Sequence, residues 1–173
     1  LSFDFNKSIG DVYTGILIEG FYTKLDNPFR NEIGEPDDNG TVIYTRVNSE
    51  NGAVVKGINL EFKVFPRENL SFNGGFTVQS SKYEDADEDF NEKKFFRTPD
   101  TYGFVMADWE FLPKFGASLT GNYTGKMLVP YFGVDLPEGE VRDAGELRKS
   151  KAFFDAGIKL HYDMPLGKGT TMQ

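Results

Sequence analysis

The connections between strand-like segments constrain this chain more than any other feature, because they alternate between short and long. The short connections lie at residues 66–69, 112–114 and 165–168. The long, polar connections lie at residues 25–40, 84–97 and 129–150. Short turns on one side and long loops on the other are typical of up-and-down β-barrels in membranes. We therefore predict an all-β, antiparallel up-and-down meander, a segment of a transmembrane β-barrel with short periplasmic turns and long extracellular loops.

Alternation of apolar and polar residues identifies the strands and their faces. Side chains in a strand point to opposite faces in turn, and residues 57–64 follow this rule without exception. Residues 70–79, 105–111, 115–124 and 154–164 follow it as well, and residues 12–24 do so less cleanly. The residues that we predict to face lipid lie on the apolar side of these segments: Ile58, Leu60, Phe62, Val64, Trp109 and Tyr123.

Residues 41–47 also look extended, and the dipeptide Asn51-Gly52 after them leaves two interpretations open. Asn-Gly is a strong hairpin signal, so it can be a two-residue turn. It can also mark a bulge in one long strand that continues to Val64. The barrel interpretation requires the bulge, because a hairpin there would reverse the direction of all later strands.

Composition limits the classes of function. A net charge of −8 argues against nucleic acid as a partner, and the absence of cysteine excludes disulfides and cysteine-based zinc sites. The one histidine, His161, shares a face with carboxylates but lacks further metal ligands. The acidic residues 85–89 resemble the start of a calcium loop, yet Phe90 and Phe96 replace its glycine and glutamate. We predict no enzymatic activity, no cofactor and no metal site.

A soluble β-barrel or sandwich that binds a small ligand is the alternative to a membrane barrel. Such proteins also alternate apolar and polar residues, and a mean hydropathy of −0.44 suits them. However, segments of about a dozen residues exceed the usual soluble strand and approach a tilted transmembrane strand. Charges in mid-strand, such as Glu61 and Lys159, suit a water-filled lumen better than a sealed core. The balance favours the membrane barrel.

Four motifs resemble the C-terminal half of TonB-dependent outer-membrane receptors of the Bacteroidetes type. They are GFYTKL at residues 20–25, NGAVVKGINLEF at 51–62, RTPDTYG at 97–103 and YTGKMLVPY at 123–131. In the second motif Asn59 stands where the family has an acidic residue, and Glu61 follows two positions later. The resemblance covers most of the chain, from Val12 to Met164.

The resemblance implies a receptor for energy-coupled transport across the bacterial outer membrane. In this family a plug domain closes a barrel of about 22 strands, and the ligand is a ferric siderophore, haem or cobalamin, for example. Residues 1–173 would then be a C-terminal barrel segment of about seven strands, without the plug domain and the final strands. The implied partners are outer-membrane lipid, the plug domain of the same parent chain, and the TonB complex through that chain.

The long connection at residues 129–150 contains the residues that we predict to bind ligand. It combines aromatic rings with arginines: Tyr131, Phe132, Arg142 and Arg148. In a receptor, such side chains in an outward loop would contact an anionic or aromatic ligand.

Overall fold

Seven antiparallel strands form the main sheet of the protein. The structure, a computed structural model, describes residues 1–34, 41, 43–49, 51–87, 90–131, 146–165 and 171–172. The strands of the main sheet are β1 Ser2–Ile9, β2 Val12–Leu25, β5 Ala53–Arg67, β6 Leu70–Tyr83, β7 Thr101–Leu112, β8 Phe115–Thr124 and β11 Phe153–Tyr162. They lie in the order β1-β2-β5-β6-β7-β8-β11, so β1 and β11 are the edges. The prediction of an all-β antiparallel meander is confirmed.

Six short strands form three separate two-stranded sheets. They are β3 Phe29–Ile33 with β4 Tyr44–Asn48, β9 Leu128–Tyr131 with β10 Glu146–Lys149, and β12 Met164–Pro165 with β13 Thr171–Met172. The first pair lies in the connection between β2 and β5, and the second in that between β8 and β11. Tight turns join β1 to β2, β5 to β6 and β7 to β8, which confirms the short connections predicted at residues 66–69 and 112–114; residues 166–168 of the third lie outside the described residues. The described residues contain no helix that could span a membrane.

The structure excludes the hairpin at Asn51-Gly52, and β4 and β5 are separate strands in different sheets rather than one long strand with a bulge. Strand β4 pairs with β3, whereas β5 pairs with β2 and β6, so no hairpin joins β4 to β5. Strand β1 is not among the predicted strands, because Lys7 interrupts the alternation of Phe3, Phe5 and Ile9. Strands β3 and β10 are likewise additions within the predicted long connections.

Strand β8 ends at Thr124, within the receptor-like motif YTGKMLVPY at residues 123–131. The chain leaves the main sheet at Gly125, whose N–H donates to the carbonyl oxygen of Thr101 at 2.8 Å. A Cβ at position 125 would lie 2.5 Å from that same oxygen. Because only glycine allows this approach, Gly125 fixes the point at which the chain departs.

The register of the strands gives the main sheet one apolar face. Direct partners in antiparallel strands have side chains on the same side. One row across the sheet contains Phe3, Ile18, Leu60, Phe76, Gly103, Tyr123 and Phe154. The next contains Phe5, Ile16, Phe62, Gly74, Val105, Gly121 and Ala156. A third contains Val64, Phe72, Ala107, Leu119 and Ile158. We call the side with these rows the apolar face, and the opposite side, with Glu61, Thr77, Asp108 and Asp155, the polar face.

Aromatic rings cover three glycines of the apolar face, Gly74, Gly103 and Gly121. A Cβ added to Gly103 would lie 2.8 Å from the ring of Phe76, and one added to Gly121 would lie 2.5 Å from the ring of Phe154. The ring of Phe62 occupies the corresponding space beside Gly74. Each ring thus fills the gap that the glycine on the neighbouring strand leaves, which keeps the face continuous.

Candidate functional site

The apolar face is exposed although large hydrophobic side chains form it. The exposed fraction is 57% for Ile58, 41% for Leu60 and 52% for Trp109. Within the described part of the chain, Ala53 is the only hydrophobic residue that is buried. A soluble domain would bury such a surface in a core, because exposed apolar area of this extent is unfavourable in water. The sheet therefore needs an apolar environment on this side.

The structure brings all six predicted lipid-facing residues together on the apolar face. Ile58, Leu60, Phe62 and Val64 alternate along β5, and the register adds Tyr123 to the row of Leu60. Trp109 follows Ala107 on β7 and lies beside Leu70 and Ala117 on the same side. Their contact with lipid stays a prediction, because no lipid is part of the structure.

A cleft of about 260 Å³ lies at the end of the sheet where the long connections meet. The β3–β4 hairpin, the end of β6, the segment that follows it and the start of β9 form its walls. Among the described residues, three arginines, Arg30, Arg46 and Arg97, and one acidic residue, Asp87, line it. The remaining lining residues are mostly aromatic: Phe29, Tyr83, Phe90, Phe95, Phe96 and Pro130.

Tyr83 anchors the aromatic side of the cleft. Its ring packs on Phe95 with centroids 4.3 Å apart, and its hydroxyl donates to the carbonyl oxygen of Phe29 at 3.2 Å. Burial raises the pKa of Tyr83, and the nearby carboxylate of Asp87 raises it further. The phenol therefore stays protonated at neutral pH and keeps its hydrogen bond to the β3–β4 hairpin. Phe90 and Phe96 complete this side in an edge-to-face pair, 5.4 Å between centroids.

Arg97 joins two long connections at the cleft. Its backbone has φ = 56°, which is uncommon for a residue other than glycine. Its N–H donates to the carbonyl oxygen of Leu128 at 2.7 Å, so the segment before β7 is tied to β9. Pro130 of β9 consequently reaches the cleft. Strained backbone of this kind concentrates at functional sites.

Two of the four predicted ligand-binding residues are described, and they lie beside the cleft rather than in it. The guanidinium carbon of Arg148 is 3.5 Å from the ring centroid of Tyr131, and Arg148 also donates to the carboxylate of Glu146. This hydrogen bond, with the carboxylate charge, raises the pKa of Arg148. Phe132 and Arg142 lie outside the described residues. A ligand role for these four residues stays a prediction.

The arginines of the cleft are absent from the sequence prediction because they come from separate segments. Arg30 is on β3, Arg46 is on β4 and Arg97 precedes β7, and only folding brings them together. The aromatic and basic run at residues 90–97 is a local signal that could have pointed to this region. Chemically, guanidinium groups next to ring faces suit a ligand that is both anionic and aromatic.

The fold is shared with part of two solved receptor structures. No protein-family model matches the chain, and no curated protein matches it. The siderophore receptor PirA from Acinetobacter baumannii is similar over 95% of this chain, with a TM-score of 0.57 and 11% identity. The ferric-catecholate import receptor Fiu from E. coli K12, in its closed form, is similar over 96%, with a TM-score of 0.56 and 14% identity. The chain spans 25% and 21% of the length of these two proteins. At such identities the likeness establishes the fold.

Proposed function

We propose that this chain is part of the barrel of a bacterial outer-membrane receptor that imports its ligand with energy from the TonB complex. One observation carries the proposal: an exposed apolar face crosses all seven strands of the main sheet, and a polar face backs it. A strand can cross a bilayer only within a closed barrel whose outer side is apolar. Further strands of the same parent chain would continue the sheet at the edges β1 and β11, and its plug domain would lie against the polar face.

The height of the apolar face fits a bilayer. On β6 each outward position from Leu70 to Val78 is apolar or glycine. Eight residue steps extend about 27 Å along a strand, which at a tilt of roughly 40° corresponds to a height of about 21 Å. The apolar band of outer-membrane barrels is about 25 Å tall. The cleft lies beyond Val78 on the side of the long connections, and we assign this side to the cell exterior.

The cleft supports an anionic chelate as the ligand. Among the described lining residues, three arginines outnumber one aspartate, and most of the others are aromatic. Ferric siderophores that chelate iron through catecholates are both negatively charged and aromatic, so they match this lining. We propose that the cleft is part of the ligand-binding surface of the receptor.

The location of the native polypeptide tests the proposed function. An antibody against residues 84–94 would detect the polypeptide in fractions of cells that express it from its own gene. We expect a band several times larger than 19.5 kDa in the outer membrane, released only by detergent. A soluble band near 19.5 kDa would refute the proposal and support the soluble ligand-binding barrel instead.

The ligand assignment needs a separate test on the detergent-solubilised receptor. The double variant Arg46→Gln/Arg97→Gln removes two positive charges from the cleft, whereas the control Arg67→Gln/Lys114→Gln removes two from the opposite end of the sheet, at the β5–β6 and β7–β8 turns. We expect the double variant to weaken binding of a ferric catecholate by at least tenfold, because each charged hydrogen bond contributes about 1.5–3 kcal/mol. The control should change the affinity by less than about threefold, because charges at the far end of the sheet are screened from the cleft. Equal effects of the two variants would argue against the cleft as the site.

A further inference from the structure

Lysines gather on the outward side of the sheet, directly beyond the apolar face and towards the long connections. Alternation along the strands puts Lys24, Lys56 and Lys82 on the same side as the apolar rows. Lys24 and Lys82 are the two partners of Val54, one on each neighbouring strand. A backbone bridge joins Lys82 to Lys94, which adds a fourth lysine. We call these four residues the lysine cluster.

The cluster carries positive charge that the surrounding residues balance only in part. The ammonium group of Lys24 is 3.0 Å from the carboxylate of Glu84, and Lys94 pairs with Asp100. Among the described residues, no carboxylate lies within ion-pair distance of Lys56 or Lys82. Both of these lysines are exposed. A local excess of cations is notable in a chain whose net charge is −8.

The position of the cluster is that of a membrane surface. Lys56 is the first charged outward residue beyond the apolar run Ile58–Val64 of β5, about 7 Å along the strand from Ile58, and Val54 lies two residues further on the same side. The direct partner of Lys56 on β2 is Tyr22, whose side chain is 67% exposed. Tyrosine and lysine side chains at the border of an apolar band are typical of the headgroup region of a bilayer.

An apolar furrow lies on the same face, and on β5 it begins at Leu60, about 13 Å along the strand from Lys56. It has a volume of about 250 Å³ and includes Leu60, four residues from Lys56 on β5. Phe76 and Tyr123 form its sides, and Gly103 and Gly121 form part of its floor. A cationic cluster above an apolar furrow matches one kind of molecule, an anionic lipid with its headgroup at the lysines and an acyl chain in the furrow.

We propose that Lys56 and Lys82, supported by Lys24 and Lys94, bind the phosphate of an anionic lipid headgroup in the leaflet on the side of the long connections. This inference rests on the membrane placement proposed above and adds a specific lipid contact to it. The headgroup phosphate supplies the negative charge that Lys56 and Lys82 lack within the described structure. The furrow distinguishes a lipid from a free anion, because only a lipid occupies both parts of the surface.

The test measures binding of bis-phosphorylated lipid A to the full-length polypeptide in detergent by native mass spectrometry. The double variant Lys56→Gln/Lys82→Gln removes the two cations, and the control Lys63→Gln/Lys159→Gln removes the same charge from the polar face. A basic residue near an anionic lipid surface contributes about fivefold to affinity, so we expect roughly 30-fold weaker binding for the double variant. The control should bind as the wild type does.

Two further measurements separate charge from misfolding and lipid from free anion. Lys56→Arg/Lys82→Arg should restore binding, since it retains both charges. Lipid A without phosphates should bind equally to wild type and to the double variant. The proposal would be overturned if the double variant bound bis-phosphorylated lipid A as tightly as the wild type does. It would also be overturned if inorganic phosphate competed for the site as strongly as the lipid does. A polypeptide absent from membranes would instead contradict the proposed function itself.

Discussion

Replacement of Leu60 by arginine tests the orientation of the whole sheet. Leu60 lies seven residues from each end of β5, Ala53–Arg67, and in the central rows of the apolar face. The nearest polar level on that side is Lys56, about 13 Å along the strand. An arginine side chain at position 60 is too short to reach this level, so its charge would stay within the bilayer.

The expected cost of Leu60→Arg is about 2–4 kcal/mol, the range for arginine on the lipid side of a barrel near the bilayer midplane. The methylenes of arginine replace much of the contact that leucine makes, so the charge dominates this cost. A matched control is Glu61→Arg, which puts the same side chain at the same depth on the polar face. Its cost should stay within about 0.5 kcal/mol, as for most exposed substitutions.

The assay is guanidinium unfolding of the full-length polypeptide in phosphatidylcholine vesicles. The shift of the midpoint multiplied by the slope gives the change in the free energy of unfolding, provided that the slope is unchanged. A cost for Leu60→Arg no greater than that for Glu61→Arg would refute the assignment of the apolar face to lipid. A larger cost for Glu61→Arg would show that the sheet faces the opposite way.

Three further predictions follow from individual contacts. In the same unfolding assay, Gly57→Ala should destabilise the protein by about 1–3 kcal/mol, because the added Cβ would collide with the carbonyl oxygen of Val78. Gly20→Ala is the control and should be neutral or stabilising, because no atom lies closer than 3.8 Å to a Cβ at that position. The hydrogen bond from Lys24 and the charge of Lys24 lower the pKa of Glu84, so this ion pair stabilises the connection above pH 4.5 and is lost as the pH falls through the lowered pKa. Amide exchange at residues 84–87 should then accelerate, and unchanged exchange would contradict this prediction. The emission of Trp109, measured as the fluorescence lost in the variant Trp109→Phe, should be quenched by lipids with brominated acyl chains and not by iodide. The reverse pattern would put Trp109 in water.

The faces of the sheet were predictable from the sequence because strand geometry is local. Side chains alternate with a period of two, and tight turns between β5 and β6 and between β7 and β8 fix how those neighbours align. Leu60 and Tyr123 could therefore be placed on one side without knowledge of any long-range contact. The edge strand β1 escaped this reasoning because Lys7 lies on its apolar side, where alternation predicts a hydrophobic residue.

The cleft was not predictable because its residues meet only through long connections. Arg46 reaches it through the pairing of β4 with β3, and Arg97 through a backbone hydrogen bond to Leu128. Neither contact follows from periodicity, since loop conformations depend on the tertiary structure. His161 shows the same limit: its ring occupies the space beside Gly116 on β8, a packing role that the pattern of nearby carboxylates did not suggest.

The pairs of rings and glycines have a consequence for how the sheet assembles. Rings cover glycines between β2 and β5 (Phe21 on Gly57), β5 and β6 (Phe62 on Gly74), β6 and β7 (Phe76 on Gly103), and β8 and β11 (Phe154 on Gly121). If a strand slid by two residues, its apolar side chains would stay on the apolar face, so hydrophobicity alone cannot reject that error. The ring would then face a residue that has a Cβ, and the space that the glycine provides would be lost. Each of these four strand pairs thus has a ring–glycine contact that distinguishes the correct register from one shifted by two residues.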